Sequence, residues 1–477
     1  ALCMEALSLD RRWLSRGVAA DVRVLGNIEL DEERVPDTLA KSGLADAISH
    51  LGEIGSLLDP TADDLAVLDA AVATIGSSDL LGSALRGQLL EARGQLGALS
   101  RRFDVVAANP PYMGSSSFNP FVAKWIKKRY PDSCRDLCTA FIERGYKLAV
   151  ERGYAAMVTM QSWMFLGSFE RMRERMIERA GIVSMAHIGP RAFDAIGGEV
   201  VNVTASVLYN APLSGEGSYI RLVDVAGSEP KRAALLEAVR NPDCGWFHRA
   251  DASTFHDIPG SPIAYWASEA MHEAFKNGVS MRSEFDAVVK GTFTGDNNRF
   301  LRLWHEVGLG SFNRKWMPYA KGGAFRRWAG NLEYVINWGD DARELKSFPG
   351  SGLSPSKYFD RRLFCWSKIS SSIASFRFYD AGTFFDDASP AFVVGKNDEL
   401  RFSRLAFLNS TCAQAMLTLI APTLNYQAGD MALLPYITSS SNINERIDSL
   451  TDCNIDFSKA DWDSQETSWD FKRNPLI

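Results

Sequence analysis

The sequence predicts an α/β protein: a parallel sheet flanked by helices, with a helical region before it and a mixed, β-rich domain after it. Three observations carry this. Between residues 101 and 215, short apolar strands alternate with amphipathic helices, the pattern of a parallel sheet covered on both faces. Residues 1–100 space Leu, Val and Ala at helical intervals. From about 276 to 437 the texture changes to short strands, glycine turns and aromatics. A chain of 477 residues, 46% hydrophobic and 23% charged, has room for two or three globular domains.

The elements follow in order. "ALCMEALSLDRRWL" sets Leu2, Ala6 and Leu7 on one helical face, with Trp13 further along. The chain opens on Ala1 inside this helical pattern, so it reads as a piece of a longer protein. "LGEIGSLLDPTADD" is a loop with a cap-like Thr61, and "DLAVLDAAVATI" and "DLLGSALRGQLLEARGQLGAL" are helices. "FDVVAA" is a short apolar strand that reads as buried. "SCRDLCTAFIERGYKLAVE" is a helix in which Ser133 and Asp136 make a capping-box pattern and Leu137, Phe141 and Leu148 share a face. "RG" ends it and "YAAMVTM" is the next strand. "SFERMRERMIERA" is a helix, "GIVSMAHIG" a strand, and "VVNVTASVLYN" a long β-branched strand. The expected domains are therefore 1–100, mostly helical; 101–215, the α/β core; 216–275, a connector; 276–437, the β-rich domain; and 438–477, a polar, partly disordered tail.

Charge and cysteine usage narrow the function classes. No apolar run reaches the length of about 18 residues that a membrane helix needs, and no signal peptide opens the chain. Seven cysteines without CxxC pairs suggest reduced thiols and a cytoplasmic protein, with neither a disulfide frame nor a metal site. The net charge of -6 hides an uneven distribution. Residues 1–100 hold 16 acids against 8 bases, whereas residues 281–380 hold 16 bases against 10 acids and five of the twelve tryptophans. An acidic protein with one basic, aromatic-rich stretch suits local docking on a polyanion. The candidate contacts are Arg299, Arg302, Lys315, Lys321, Arg326, Arg327, Lys368 and Arg377. The bland alternative is that these bases solvate a surface and the tryptophans fill a core.

The most informative stretch is "FDVVAANPPYMG", Phe103 to Gly114. In an open α/β sheet, ligands bind at the carboxyl ends of strands. Asn109 directly follows such a strand, and Pro110 and Pro111 stiffen the turn by fixing φ and removing two N–H donors. The loop then displays two acceptors, the Asn109 side-chain carbonyl and the Pro110 main-chain carbonyl, beside the flat ring of Tyr112. Those parts suit an exocyclic amine of a nucleobase, which can donate to both carbonyls while its ring stacks on the tyrosine. Accepting both hydrogens draws the nitrogen lone pair out of conjugation and aims it at an electrophile. The bland alternative is a strand-ending turn, because N-P and P-P are common punctuation.

"NPPY" after "FDVVAA" resembles the catalytic motif of the S-adenosylmethionine-dependent N6-adenine DNA methyltransferases. Further stretches extend the likeness: "NPPYMGS", "YPDSCRDLCTAFIERG", "TGDNNRFLRLWHEV", "KWMPYAKGGAFRRWAGNLEYVINW", "YFDRRLFCWSKISSS" and "LAFLNSTCAQAMLTLIAPTLNYQAGDMALLPY". Together they resemble the adenine-specific methyltransferases of BREX (bacteriophage exclusion) systems, over about residues 100 to 437. The resemblance implies a Rossmann-like class I methyltransferase sheet, S-adenosylmethionine as cofactor, duplex DNA as partner and other phage-defence proteins as possible partners. It implies that Asn109 and Pro110 hold the N6 amine, that Pro111 stiffens the loop and that Tyr112 stacks on a flipped adenine. It places Asp136 and Leu137 at the border of the donor pocket, Gln161 and Ser162 at its rim, and Phe193 or "VVNVTASV" on the far wall of the base pocket. Residues 276–437 become the target-recognition domain, where Gly295, Gly322 and Gly323 read as turns.

In one respect the sequence departs from that family. Its glycine-rich donor loop and the acidic residue on the following strand come before NPPY, and residues 1–100 contain neither. "EVGLGSF", Glu306 to Phe312, has a G-x-G but reads as a turn in the recognition domain. The expectation is a partial sheet lacking its donor end, in a chain that binds no cofactor by itself. Two other readings stay open: an amine methyltransferase acting on RNA or protein glutamine, and a non-catalytic DNA-recognition or assembly subunit.

Overall fold

A computed structural model describes residues 25–30, 34–75, 80–192, 201–370, 373–396, 401–421, 425–438 and 440–473. The opening helical pattern at Leu2–Trp13, the residue Phe193 and the end of the tail lie outside the described residues. The chain divides into two compact units, Ala1–Gln161 with Arg175–Phe247, and Ser162–Glu174 with His248–Ile477.

In the first unit, α1 (Ala62–Thr74) and α2 (Leu80–Leu99) form where the Leu/Val/Ala spacing predicts them. Thr61 caps α1: its hydroxyl accepts from Asp64 N at 3.1 Å, and the Asp64 carboxylate accepts from Thr61 N at 2.8 Å. The strands are β1 (Phe103–Ala108), β2 (Ala149–Met160), β3 (Gly181–Gly189), β4 (Val203–Tyr209) and β5 (Glu216–Arg221). Their helices are α3 (Pro120–Arg129), α4 (Leu137–Leu148), α5 (Glu170–Arg179) and α6 (Ser228–Arg240). The helical region does not stand apart. Leu68, Leu89 and Leu96 share one core with Val122, Ile126 and Leu137. The buried Arg144 of α4 ties the two parts, donating to Asp59 at 2.5 Å, to the Ser56 carbonyl at 2.8 Å and to the Leu99 carbonyl at 2.7 Å.

The sheet order is β1-β2-β4-β3-β5, followed by β6 (Phe247–Asp251), within which the division between units falls. Here the structure corrects the expectation of a wholly parallel sheet. β1 pairs parallel with β2, and β3 with β5, but β4 runs antiparallel to both β2 and β3. No helical pattern separates "GIVSMAHIG" from "VVNVTASVLYN", and only antiparallel neighbours can do without a crossover helix. The stretch expected as a connector supplies β5, α6 and β6 to this architecture.

A second correction concerns β1. The strand read as buried is the edge of the sheet among the described residues, and its odd-numbered face is open, with Val105 62% exposed. A third concerns the start of α4. The cap is Asp136 and not Ser133, because residues 131–135 form turns and the helix begins at Leu137.

The second unit holds helices α7 (Glu269–Asn277), α8 (Phe402–Leu408), α9 (Thr411–Ile420) and α10 (Ser441–Asp463). It holds a pair, β7 (Val279–Ser280) with β16 (Pro435–Tyr436), and two four-stranded sheets. One sheet joins β8 (Ala287–Val289), β12 (Leu363–Trp366), β13 (Phe376–Tyr379) and β15 (Ala391–Val393). The other joins β9 (Leu301–Leu303), β10 (Trp316–Ala320), β11 (Tyr334–Asn337) and β14 (Phe384–Phe385). Phe364, Trp366, Phe376 and Phe392 pack against Leu405, Leu408, Met416 and Ile455 in its largest core. The segment expected as a polar tail is mostly helix α10, which buries Thr451, Ile455 and Trp462.

Candidate active site

β1, β2, β3 and β5 run the same way, so their carboxyl ends share one rim. Asn109 leaves β1 at that rim, next to Met157 of β2, the register partner of Ala108. Pro110 is buried and anchors the loop, while Asn109 and Pro111 are exposed. Tyr112 turns back over the loop, and its hydroxyl donates to Asn109 Oδ1 at 3.3 Å. Burial, with the Cys138 thiol as a second cause, pushes the Tyr112 phenol up to about 12. At neutral pH it is a hydrogen-bond donor and not a base.

The loop is held from below by α4. Leu137 N donates to the Met113 carbonyl at 2.9 Å and Ser115 N to the Arg135 carbonyl at 2.8 Å, and Gly114 bridges Asp136. Asp136 is buried, and its Oδ1 accepts from Cys138 N at 2.9 Å, closing the first turn of α4. Asn109, Tyr112, Asp136 and Leu137 are thus brought together in one unit. Asp136 and Leu137 both serve the helix start, which leaves the Asp136 carboxylate half committed as a cap.

Next along the rim lies a pair the sequence reading missed in part. Gln161 follows β2, and its Oε1 lies 2.7 Å from His187 Nε2 on β3. His187 is buried, and its ring is held neutral with a pKa lowered to about 3 by burial first and then by Arg221 and Lys231. Lys231, on α6, donates its ammonium to the carbonyls of Ile188 and Leu222, at the ends of β3 and β5. The histidine inside "SMAHIG" was the available signal, and a lone histidine in an apolar strand reads as core. Ser162, expected beside Gln161, belongs to the second unit.

The eight candidate DNA contacts, all in the second unit, separate on inspection. Arg377 is corrected outright: its side chain is fully buried and donates to the Arg326 carbonyl, Tyr379 Oη, Ser367 and Ser375, so no phosphate can reach it. Arg299 is paired with Glu344 at 2.7 Å, Lys321 with Asp386 at 3.5 Å, Arg326 with Asp461 at 2.8 Å and Lys368 with Asp387 at 2.8 Å. Arg302 donates to the carbonyls of Asn298 and Leu301. Lys315 and Arg327 have no carboxylate partner among the described residues. Of the five tryptophans, Trp366 is buried and donates to the Tyr426 carbonyl at 2.9 Å, while Trp304, Trp316, Trp328 and Trp338 are half-buried, Trp338 stacking on Phe384 at 4.0 Å. Two bases that the sequence did not single out, Lys290 and Lys357, line a cleft of about 500 Å³ with Lys368, Phe293 and Tyr358. Glu306–Phe312 contains short 3-10 turns and not a strand–loop–helix unit, and Gly295, Gly322 and Gly323 sit at positive φ in turns.

Residues 85–193 match the family described as Eco57I restriction-modification methylase. Adenine-specific methyltransferase PglX of Lacticaseibacillus casei (strain Zhang) is 39% identical over 399 residues, covering 80% of this chain and 33% of that protein. Adenine-specific methyltransferase BrxX of Escherichia coli O9:H4 (strain HS) is 37% identical over 440 residues, covering 89% of this chain and 35% of that protein. The chain therefore spans about a third of the length of these relatives. Among solved structures, the Type IIL restriction-modification enzyme MmeI in complex with DNA superposes with a TM-score of 0.50 and 12% identity, over 78% of this chain and 51% of that one. This likeness concerns the fold alone. Through most of its length the chain is thus similar to two adenine-specific methyltransferases, PglX and BrxX.

Proposed function

We propose that the protein presents N6 of an adenine in duplex DNA for site-specific methylation in phage defence, with S-adenosylmethionine as the donor. The observation that carries this reading is Asn109 at the carboxyl end of β1, its side-chain carbonyl accepting from the Tyr112 hydroxyl. The PglX and BrxX relatives support it. The second unit docks on the duplex, with bases on phosphates and a few side chains on base edges. The adenine leaves the stack at a cost of a few kcal/mol. Its amine displaces the Tyr112 hydroxyl from Asn109 Oδ1 and donates to that oxygen and to the Pro110 carbonyl. Tyr112 then covers the base. With both N–H groups engaged, the N6 lone pair points out of the ring plane. The phenol of Tyr112, pushed up to about 12, stays protonated and takes no proton from the amine.

The donor supplies an electrophilic methyl group when bound. The described residues before β1 do not fit it: 62–74 and 80–99 are helices whose apolar faces enter the core, and no strand precedes β1 among them. Asp136 and Leu137 could touch one side of the donor at most. The chemistry argued from this chain is therefore the acceptor's.

The test compares N6-methyladenine across the genome with the gene present, deleted, or carrying Asn109→Ala. One sequence context is expected to lose methylation in the deletion. Asn109→Ala is expected to lower it by about a hundredfold or more while duplex binding persists, the usual scale for removing one preorganised hydrogen-bonding group. Near-normal methylation by Asn109→Ala would overturn the assignment.

A further inference from the structure

Gln161 and His187 form a polar pair on a packed face of the sheet. Met157 and Thr159 share the face that α4 covers, where the Met157 side chain lies against Gly145, and Gln161 follows in step with them. Thr159 is the register partner of Thr204 on β4, and Thr204 is that of His187 on β3. The imidazole reaches past Thr204, and its Nε2 lies 2.7 Å from Gln161 Oε1. An apolar pair would fill this space without the cost of desolvating an imidazole and an amide. No step described so far uses the contact.

What the pair fixes is one carboxamide. Burial, then Arg221 and Lys231, keep the imidazole neutral, and a neutral imidazole carries a single N–H. At Nε2 that hydrogen donates to Gln161 Oε1. Turning the amide over would set its NH2 group against the imidazole N–H. The NH2 group therefore points away from His187. It has no acceptor among the described residues, and Gln161 is only half-buried.

This donor stands beside the Asn109 loop. Ala108 and Met157 are register partners, and Gln161 follows Met157 at the same remove as Tyr112 follows Ala108. The start of α4 links the two. The Cys138 thiol hydrogen-bonds the main chain of Met160, the residue before Gln161, and lies close enough to Tyr112 to raise its phenol. The rim thus presents two acceptors after β1 and one oriented donor after β2.

We propose that the Gln161 carboxamide donates to a ring nitrogen flanking N6 of the captured adenine, N1 or N7, and that His187 is the positioning residue that keeps this donor toward the base. The inference rests on the proposed function and deepens it. Asn109 and Pro110 accept from the amine, and Gln161 reads the acceptor next to it. A site built to hydrogen-bond a group discriminates against an analogue that lacks it.

The test uses the full-length protein on duplexes carrying its methylated site, with the target adenine replaced by 1-deazaadenine or 7-deazaadenine. Each analogue keeps the amine and lacks one ring nitrogen. The single-turnover rate on each is divided by the rate on adenine, in wild type and in Gln161→Ala. Comparing these ratios between the two proteins cancels any change in the reactivity of the amine itself. On one of the two analogues, wild type is expected to lose about tenfold more than Gln161→Ala, the scale of one neutral hydrogen bond. His187→Leu is expected to erase that difference as Gln161→Ala does, and His187→Gln, whose amide can still donate to Gln161, to restore it. A merely structural histidine would move the melting temperature and leave the ratio alone. Equal ratios in wild type and Gln161→Ala on both analogues overturn the proposal. So does a Gln161→Ala protein whose only loss is in affinity for the methyl donor. A wild-type protein that methylates no adenine overturns instead the function beneath it.

Discussion

Asn109 and Tyr112 satisfy each other in this structure, so the acceptor that would grip an amine is already occupied by a phenol hydroxyl. The exchange is nearly even in hydrogen bonds, which suits capture of a substrate better than an empty buried acceptor would. This loop was legible in the sequence because prolines and a polar residue at a strand end leave a local signature. The Gln161–His187 contact was only half legible, since it joins residues on separate strands and needs the sheet register to bring them together. Its consequence can be measured. A histidine whose folded pKa is about 3, against an ordinary value of about 6.5, binds its proton more tightly when unfolded. The native state then loses stability as pH falls from about 6.5 toward 3, by roughly 1.4 kcal/mol per pH unit. We expect the melting temperature of wild type to fall over that window more steeply than that of His187→Gln, whose amide can still donate to Gln161. Parallel curves for the two proteins would show that His187 is free to take up a proton in the fold.

At the scale of elements, local signals and tertiary ones parted company in instructive places. β1 and β3 lie where the apolar runs put them, yet burial of β1 could not be read from its composition, because an apolar strand looks the same at an edge and in the middle of a sheet. α10 escaped notice for a different reason. The face it buries includes Asp448 and Ser458, which bond to the backbone of Ser403 and of Arg327 and Ala329, so the inward stripe is only half apolar. The cap of α4 illustrates a competition: Ser133 has the right spacing, but Asp136 is held by the Gly114 bridge and takes the role. Asp136→Ala should therefore cost about 1 kcal/mol in urea unfolding, the usual scale of a lost N-cap, and Asp136→Asn much less. A loss as large for the asparagine variant would mean that the carboxylate charge, and not the cap, holds the loop to the helix.

Across the whole molecule, a net charge of -6 with one basic stretch suits docking of a polyanion on a local patch better than wholesale coating of it. The sequence located the basic stretch but not the usable bases within it, because ion pairing depends on partners far away in the chain: Arg299 meets Glu344, and Arg326 meets Asp461. Burial had the same effect on Arg377. The bases that remain toward solvent include Lys290 and Lys357, flanking the cleft that also holds Phe293 and Tyr358. If they hold phosphates as the proposed function requires, each contact releases condensed counterions, and binding should weaken with salt by roughly 0.9 log units per contact per log unit of salt. Replacing Lys290 and Lys357 together with alanine should flatten the slope of log K against log salt by about two units. The change should be similar on unrelated duplexes, as expected for contacts to the backbone and not to bases. Arg377→Gln provides the contrast: its guanidinium braces the interior, so the variant should unfold at lower urea while the salt slope of the folded protein stays the same. If the double lysine variant keeps the wild-type slope and Arg377→Gln changes it, the phosphate path lies elsewhere on the unit and the cleft is not part of it.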